Sequence, residues 1–164
     1  MKYIINSTEK YSKHSLNLLI PSLLNCGISP KDILVIMGGC DEDYEKFHVL
    51  ESYSLLKTKI NAFDLTSFYI ISFFPHLFDE KKYFYLHDTT FVDKNFKTIV
   101  EEKSEEFSCK ASPYFCCNMG IYLKTDIIEA MLNPMMKEFE NLFLSENNLE
   151  EKKRKSDKTR RYYF

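Results

Sequence analysis

The chain has 164 residues, 45% of them hydrophobic, enough for one domain with a core of ordinary size. Its formal net charge of −2 excludes a general electrostatic attraction to nucleic acid, so no nucleic-acid partner is expected. No apolar stretch approaches the ~20 residues of a transmembrane helix, and the N-terminal apolar run is too short for a signal peptide. A soluble, cytoplasmic protein is expected. The cysteines (Cys26, Cys40, Cys109, Cys116 and Cys117) are odd in number and lack C-x-x-C spacing, so reduced thiols are the simplest account.

Tyr3-Ile4-Ile5 predicts a first strand, ending in a polar loop at Asn6-Ser7-Thr8-Glu9. Asn6-Ser7-Thr8 matches a glycosylation acceptor, which carries little weight without a secretory context. Ser7, Thr8 or Ser12 can cap the helix that follows. Leu16, Leu19, Ile20, Leu23 and Leu24 recur at helical spacing. Pro21 predicts a kink or a shifted start, and Gly27 predicts a left-handed cap. Ile33-Leu34-Val35-Ile36-Met37 is β-branched and apolar, the mark of a buried strand. A strand, a helix and a second strand require a parallel pair with a right-handed crossover. Gly38-Gly39 closes that strand, either as a tight turn or to admit a ligand closely.

Residues 47–59 alternate loosely and predict another strand; Ile60-Asn61-Ala62-Phe63-Asp64 predicts a short edge strand. Asp64 is expected to cap a buried helix over 66–74, which Pro75 ends. Tyr83-Phe84-Tyr85-Leu86 is an aromatic run that stops at His87-Asp88-Thr89-Thr90. It reads as a strand buried on both faces, in a sheet covered by helices. Residues 96–105 predict a helix with Phe96, Ile99 and Val100 on one face. Residues 112–123 read as a strand broken at Asn118 and Gly120, and Thr125 or Asp126 is expected to cap a helix through Met131. A further amphipathic helix is expected over 135–144, then a charged tail over 146–164. Residues 1–145 thus form one α/β domain built on a mostly parallel sheet.

Ligands of such sheets sit beyond the carboxyl ends of the strands. Asp88 stands at one such end, where a carboxylate can hold a metal or a sugar hydroxyl, with His87 and Asp93 as companions. Asp41-Glu42-Asp43 follows another parallel strand and shares that edge. Asp64 with Asn61, and Asn118 with Gly120, complete the candidates. Each has a bland alternative: Asp88 as a loop cap, Asp41 as a solvated residue, Asp64 as a helix cap, Gly120 as part of a β-bulge. Cys116 and Cys117 lie in an apolar context and make poor nucleophiles. His14, His48, His76 and His87 form no i, i+4 metal pair. No G-x-x-x-x-G-K-[ST] or G-x-G-x-x-G motif is present, against P-loop and Rossmann dinucleotide readings.

Taken in order, these residues resemble the GT-A class of nucleotide-sugar glycosyltransferases over about residues 1–132. Tyr83-Phe84-Tyr85-Leu86-His87-Asp88-Thr89 stands where that class has its D-x-D motif, and Asn118-Met119-Gly120-Ile121-Tyr122 where a later strand carries an N-x-G-like signature. The resemblance implies a GT-A-like fold and a divalent-metal-assisted glycosyl transfer. The donor would be a nucleotide-diphospho-sugar, and the acceptor an unspecified glycan, lipid or protein. It implies Mn or Mg at Asp88, with His87 as a second ligand. Thr8, Asp41 and Asp64 would hold the nucleotide, and Asn118 and Gly120 would lie near the sugar. Two departures stand out. His87-Asp88-Thr89 keeps a carboxylate only at the middle position, and Met37-Gly38-Gly39 lacks the Asp that often reads uracil, leaving Asp41 displaced. The residues left to supply a base and positive charge lie in the tail: Glu150 or Glu151, and Lys152, Lys153 or Arg154. A catalytically inactive binding or interaction module of the same fold is the alternative.

Overall fold

The computed structural model describes residues 1–111 and 119–132. The helix expected over 135–144, the tail, and Cys116, Cys117, Asn118, Glu150 and Glu151 lie outside the described residues.

The described residues form a six-stranded sheet, with helices on both faces. In chain order the elements are β1 (Lys2–Thr8), α1 (Glu9–Asn25), β2 (Ile33–Gly38), β3 (His48–Val49), β4 (Ser54–Thr58), α2 (Thr66–Phe73), β5 (Lys82–His87), α3 (Phe96–Lys103), β6 (Gly120–Leu123) and α4 (Lys124–Met131). The strand order is β3-β4-β2-β1-β5-β6. β4, β2, β1 and β5 run parallel, and β3 and β6 are antiparallel edges. The mostly parallel α/β architecture is the expected one, and β2 and β5 are interior strands.

Side-chain alternation splits the core into two layers. Ile4, Leu34, Ile36, Leu56, Tyr83, Tyr85 and Tyr122 pack under α2 and α4. Tyr3, Ile5, Ile33, Val35, Met37 and Leu86 pack under α1, with Val100 of α3. Because parallel strands need both faces covered, the run Ile33–Met37 in β2 is apolar without a break. In α1, the Gly27 amide donates to Leu24 and the Ile28 amide to Leu23, with Gly27 at φ +79. This is a Schellman end, as Gly27 predicted.

Several local expectations are corrected. β1 continues to Thr8 instead of looping at Asn6, because Asn6, Ser7 and Thr8 keep pairing with Ile36, Met37 and Gly38 of β2. α1 starts at Glu9 and runs through Pro21; Thr8 holds the N-cap position without a side-chain cap bond. Pro21 is exposed, as is Asn17, whose carbonyl Pro21 leaves unpaired within the helix, so water can satisfy it. Residues 47–59 are not one strand: β3 folds back on β4, with the Leu50 amide donating to Tyr53 O. Residues 60–64 form no edge strand; they turn into a 3₁₀ segment, Phe63–Leu65. Asp64 does not cap α2, whose N-cap position is Leu65. Neither Thr125 nor Asp126 caps α4, because both lie within its first turn and Leu123 precedes it. Among the described residues no helix is long and apolar enough to cross a membrane.

Candidate functional site

The chain builds the sheet outward from β1 through β2 to β4, then returns to place β5 on the other side of β1. The strand order therefore reverses between β1 and β5. Crevices for ligands open at such switch points, beyond the carboxyl ends of the strands. Asp88 stands at this point, just after β5, and its amide donates to Asn6 O on β1 (3.2 Å).

Two hydroxyls fix the Asp88 side chain. Ser7 Oγ of β1 donates to Oδ2 at 2.6 Å, and Ser15 Oγ of α1 donates to the same oxygen at 2.8 Å. A carboxylate offers about four lone-pair sites on two oxygens. With both donors on Oδ2, Oδ1 is left for a ligand, and Asp88 is only half-buried. The loop-cap reading of Asp88 is incomplete, since its side chain ties β5 to β1 and α1 across the switch point.

His87 points the other way. Strand alternation sends Leu86 to the α1 layer and Tyr85 to the α2 layer, and His87 and Asp88 diverge in the same manner. His87 Nδ1 lies 3.6 Å from Asp64 Oδ1, while Tyr85 Oη donates to Asp64 O (2.7 Å). Asp64 is thus held beside the end of β5 and not at a helix cap. The structure brings Asp64 together with His87 and Asp88 together with Ser7 and Ser15, on opposite faces of the sheet.

Asn6 anchors the Asp64 side. It is 5% exposed, too buried for the glycosylation its sequence context suggests. Its Nδ2 donates to Phe63 O (2.9 Å), and its Oδ1 accepts from the Ser67 amide (3.0 Å) and Ser67 Oγ (2.8 Å). Phe63 adopts φ +52, a conformation that non-glycine residues seldom take, and these bonds hold the turn in place.

The remaining candidates spread along the same edge. Thr8, half-buried, ends β1; Asp41 is exposed after β2. Its neighbours are engaged locally: Glu42 pairs with Lys57 (3.1 Å), and Asp43 Oδ1 accepts the Lys59 amide (2.7 Å). The Gly38-Gly39 pair makes a tight turn filled by its own chain. A Cβ on Gly38 would lie 2.7 Å from Ile60 O, and Gly39 has φ +74. Gly120 pairs with Tyr85, and a Cβ there would meet Cys109 Sγ at 2.5 Å. Burial, then the charge of Glu9, pushes the Cys40 thiol up, so it stays a protonated small hydrophobe.

A Mg or Mn ion bound with a nucleotide diphosphate needs only one or two protein carboxylates, with phosphate oxygens and water completing its shell. Asp88, with Oδ1 spare, fits that requirement. Among the described residues no group of three or more His, Cys, Asp or Glu could hold an ion unaided. Residue types alone did not single out Ser15 or Ser67. Their signal is a small polar residue beside the buried stripe of a helix, which is common and points to no partner.

No family model and no curated protein matches the sequence. A crystal structure of S. aureus TarS, residues 1–349, is similar to this chain with a TM-score of 0.46 and 10% identity, over 93% of this chain and 53% of that one. The chain thus spans about half the length of that structure, and a likeness of this size carries no argument about this chain.

Proposed function

We propose that this chain is a glycosyltransferase that moves a sugar from a nucleotide-diphospho-sugar to an acceptor hydroxyl. The observation that carries the reading is Asp88, aimed at the β1–β5 switch point by Ser7 and Ser15. That position suits a group that must meet a diphosphate at the strand ends. Asp88 would hold a Mn or Mg ion, which when bound supplies positive charge against the negative charge developing on the departing diphosphate. Thr8 and Asp41 would face the nucleotide, Asp64 would orient His87 at the edge of the crevice, and Asn118 and Gly120 would lie near the sugar.

In the reaction the bond between the anomeric carbon and the diphosphate breaks. The acceptor oxygen bonds that carbon, and its proton passes to a base. Glu150 or Glu151 is the proposed base. A thermal-shift panel of nucleotide sugars, with and without Mn, tests the reading, followed by assay of diphosphate release. Metal-dependent stabilisation by one nucleotide family, with release, supports it. Stabilisation without release on any acceptor favours the inactive binding module. No stabilisation by any nucleotide sugar overturns the reading.

A further inference from the structure

A cavity lies at the same strand end as Asp88. It is open to solvent and offers about 420 Å³, within the range of small-molecule sites. Its floor is Phe84 and Leu86 of β5, and residues 90–93, Asn95, Phe96 and Ile99 of α3, and Met119 form its walls. Leu86 and Thr90 bracket Asp88 in the chain, so the cavity opens beside the proposed reaction centre.

The lining is apolar yet reachable from solvent: Phe91 is 74% exposed, Ile99 55% and Met119 48%. The predicted buried face of α3 holds for Val100, whereas Ile99 turns its side chain to this cavity. Two of the three polar side chains in the lining are engaged locally. Asp93 Oδ1 accepts the Asn95 amide (2.9 Å), and Thr90 Oγ1 donates to Met119 Sδ (3.0 Å). An occupant gains little from hydrogen bonding there and much from removing hydrocarbon from water. Aromatic rings and a pliable methionine suit a flexible chain. Asp93 is the charged member of the lining and disfavours an anionic head group.

We propose that this cavity takes the hydrocarbon tail of a neutral, hydroxyl-bearing amphiphile, whose hydroxyl end lies toward Asp88. Use of that amphiphile as the sugar acceptor rests on the transferase reading above; binding of the tail does not. The test is methyl NMR of the full chain with octyl β-D-glucoside below its micelle concentration. Methyl β-D-glucoside serves as the tail-less control and octanoate as the anionic one. The expected result is saturable shifts at Ile99 and Met119 with octyl glucoside alone, with affinity reduced at least tenfold in Ile99→Asp. That exposed position tolerates a carboxylate, and circular dichroism checks the fold. If Ile99→Asp does not fold, Met119→Gln replaces it, with the same expected loss. Absence of shifts up to millimolar octyl glucoside, or equal shifts with methyl glucoside, overturns the site. Equal binding of octanoate overturns the neutral head group. Failure of the transferase reading is distinguishable, because nucleotide sugars would then leave the protein unaffected while octyl glucoside still bound.

Discussion

Replacing Asn6 by Ala should destabilise the protein more than any other single polar substitution at the strand ends. The side chain makes three hydrogen bonds, but they are not equivalent. Phe63 O keeps a second donor, Thr66 Oγ1 at 2.9 Å, so it is not orphaned. Ser67 Oγ can rotate to another partner. The Ser67 amide is fully buried and loses its acceptor. One orphaned buried donor costs about 1–3 kcal/mol, and the volume lost adds to this. The sum is about 2–4 kcal/mol, or roughly 4–16 °C in Tm for a chain of this size. Urea denaturation with an unchanged m-value would measure it. A double-mutant cycle with Ser67→Ala should show coupling of at least about 0.5 kcal/mol, because the two share a bond. A loss below about 0.5 kcal/mol, or strict additivity, would refute the claim that Asn6 organises the Phe63–Ser67 turn.

Gly120→Ala should destabilise by about 1–3 kcal/mol through overlap with Cys109 Sγ, and Cys109→Ala should restore much of the loss; chemical denaturation of the three variants reads both effects. Burial raises the phenols of Tyr3 and Tyr83 to about 12 from an ordinary 10.0. Between those values the unfolded chain loses protons that the folded chain keeps, so stability should fall as pH rises from 10 to 12, by up to about 2 kcal/mol per tyrosine. Ultraviolet phenolate titration alongside alkaline denaturation checks this, and phenols ionising at their ordinary value would contradict it.

The long-range plan of the sheet was legible where one rule acted alone. The unbroken β-branched run in β2 read as a strand covered on both faces, and Gly27 as a left-handed helix end. The misses share a cause. Asn6, Ser7 and Thr8 look like loop residues locally, yet Asn6 bonds Phe63 and Ser67, Ser7 bonds Asp88, and Thr8 pairs with Gly38, all dozens of positions away. Asp64 looks like a cap because Asp usually is one next to a helix. The cap role was pre-empted by Asn6 Oδ1, which takes the Ser67 amide from across the sheet. The place of Asp88, just past the end of β5, was legible from strand-end logic alone. The opposed directions of His87 and Asp88 follow from the period-two alternation of a strand, but only after the end of β5 is known.

The central claim is that Asp88 meets a metal-bound diphosphate at the β1–β5 switch point. Calorimetric titration of nucleoside diphosphates in Mn or Mg, into the natural protein and Asp88→Asn, tests it most directly. The amide oxygen of Asn can still accept from Ser7 and Ser15, so thermal stability should be nearly unchanged while metal-dependent affinity is lost. Equal affinity in both proteins, or binding indifferent to the metal, would contradict the claim and remove Asp88 from the site.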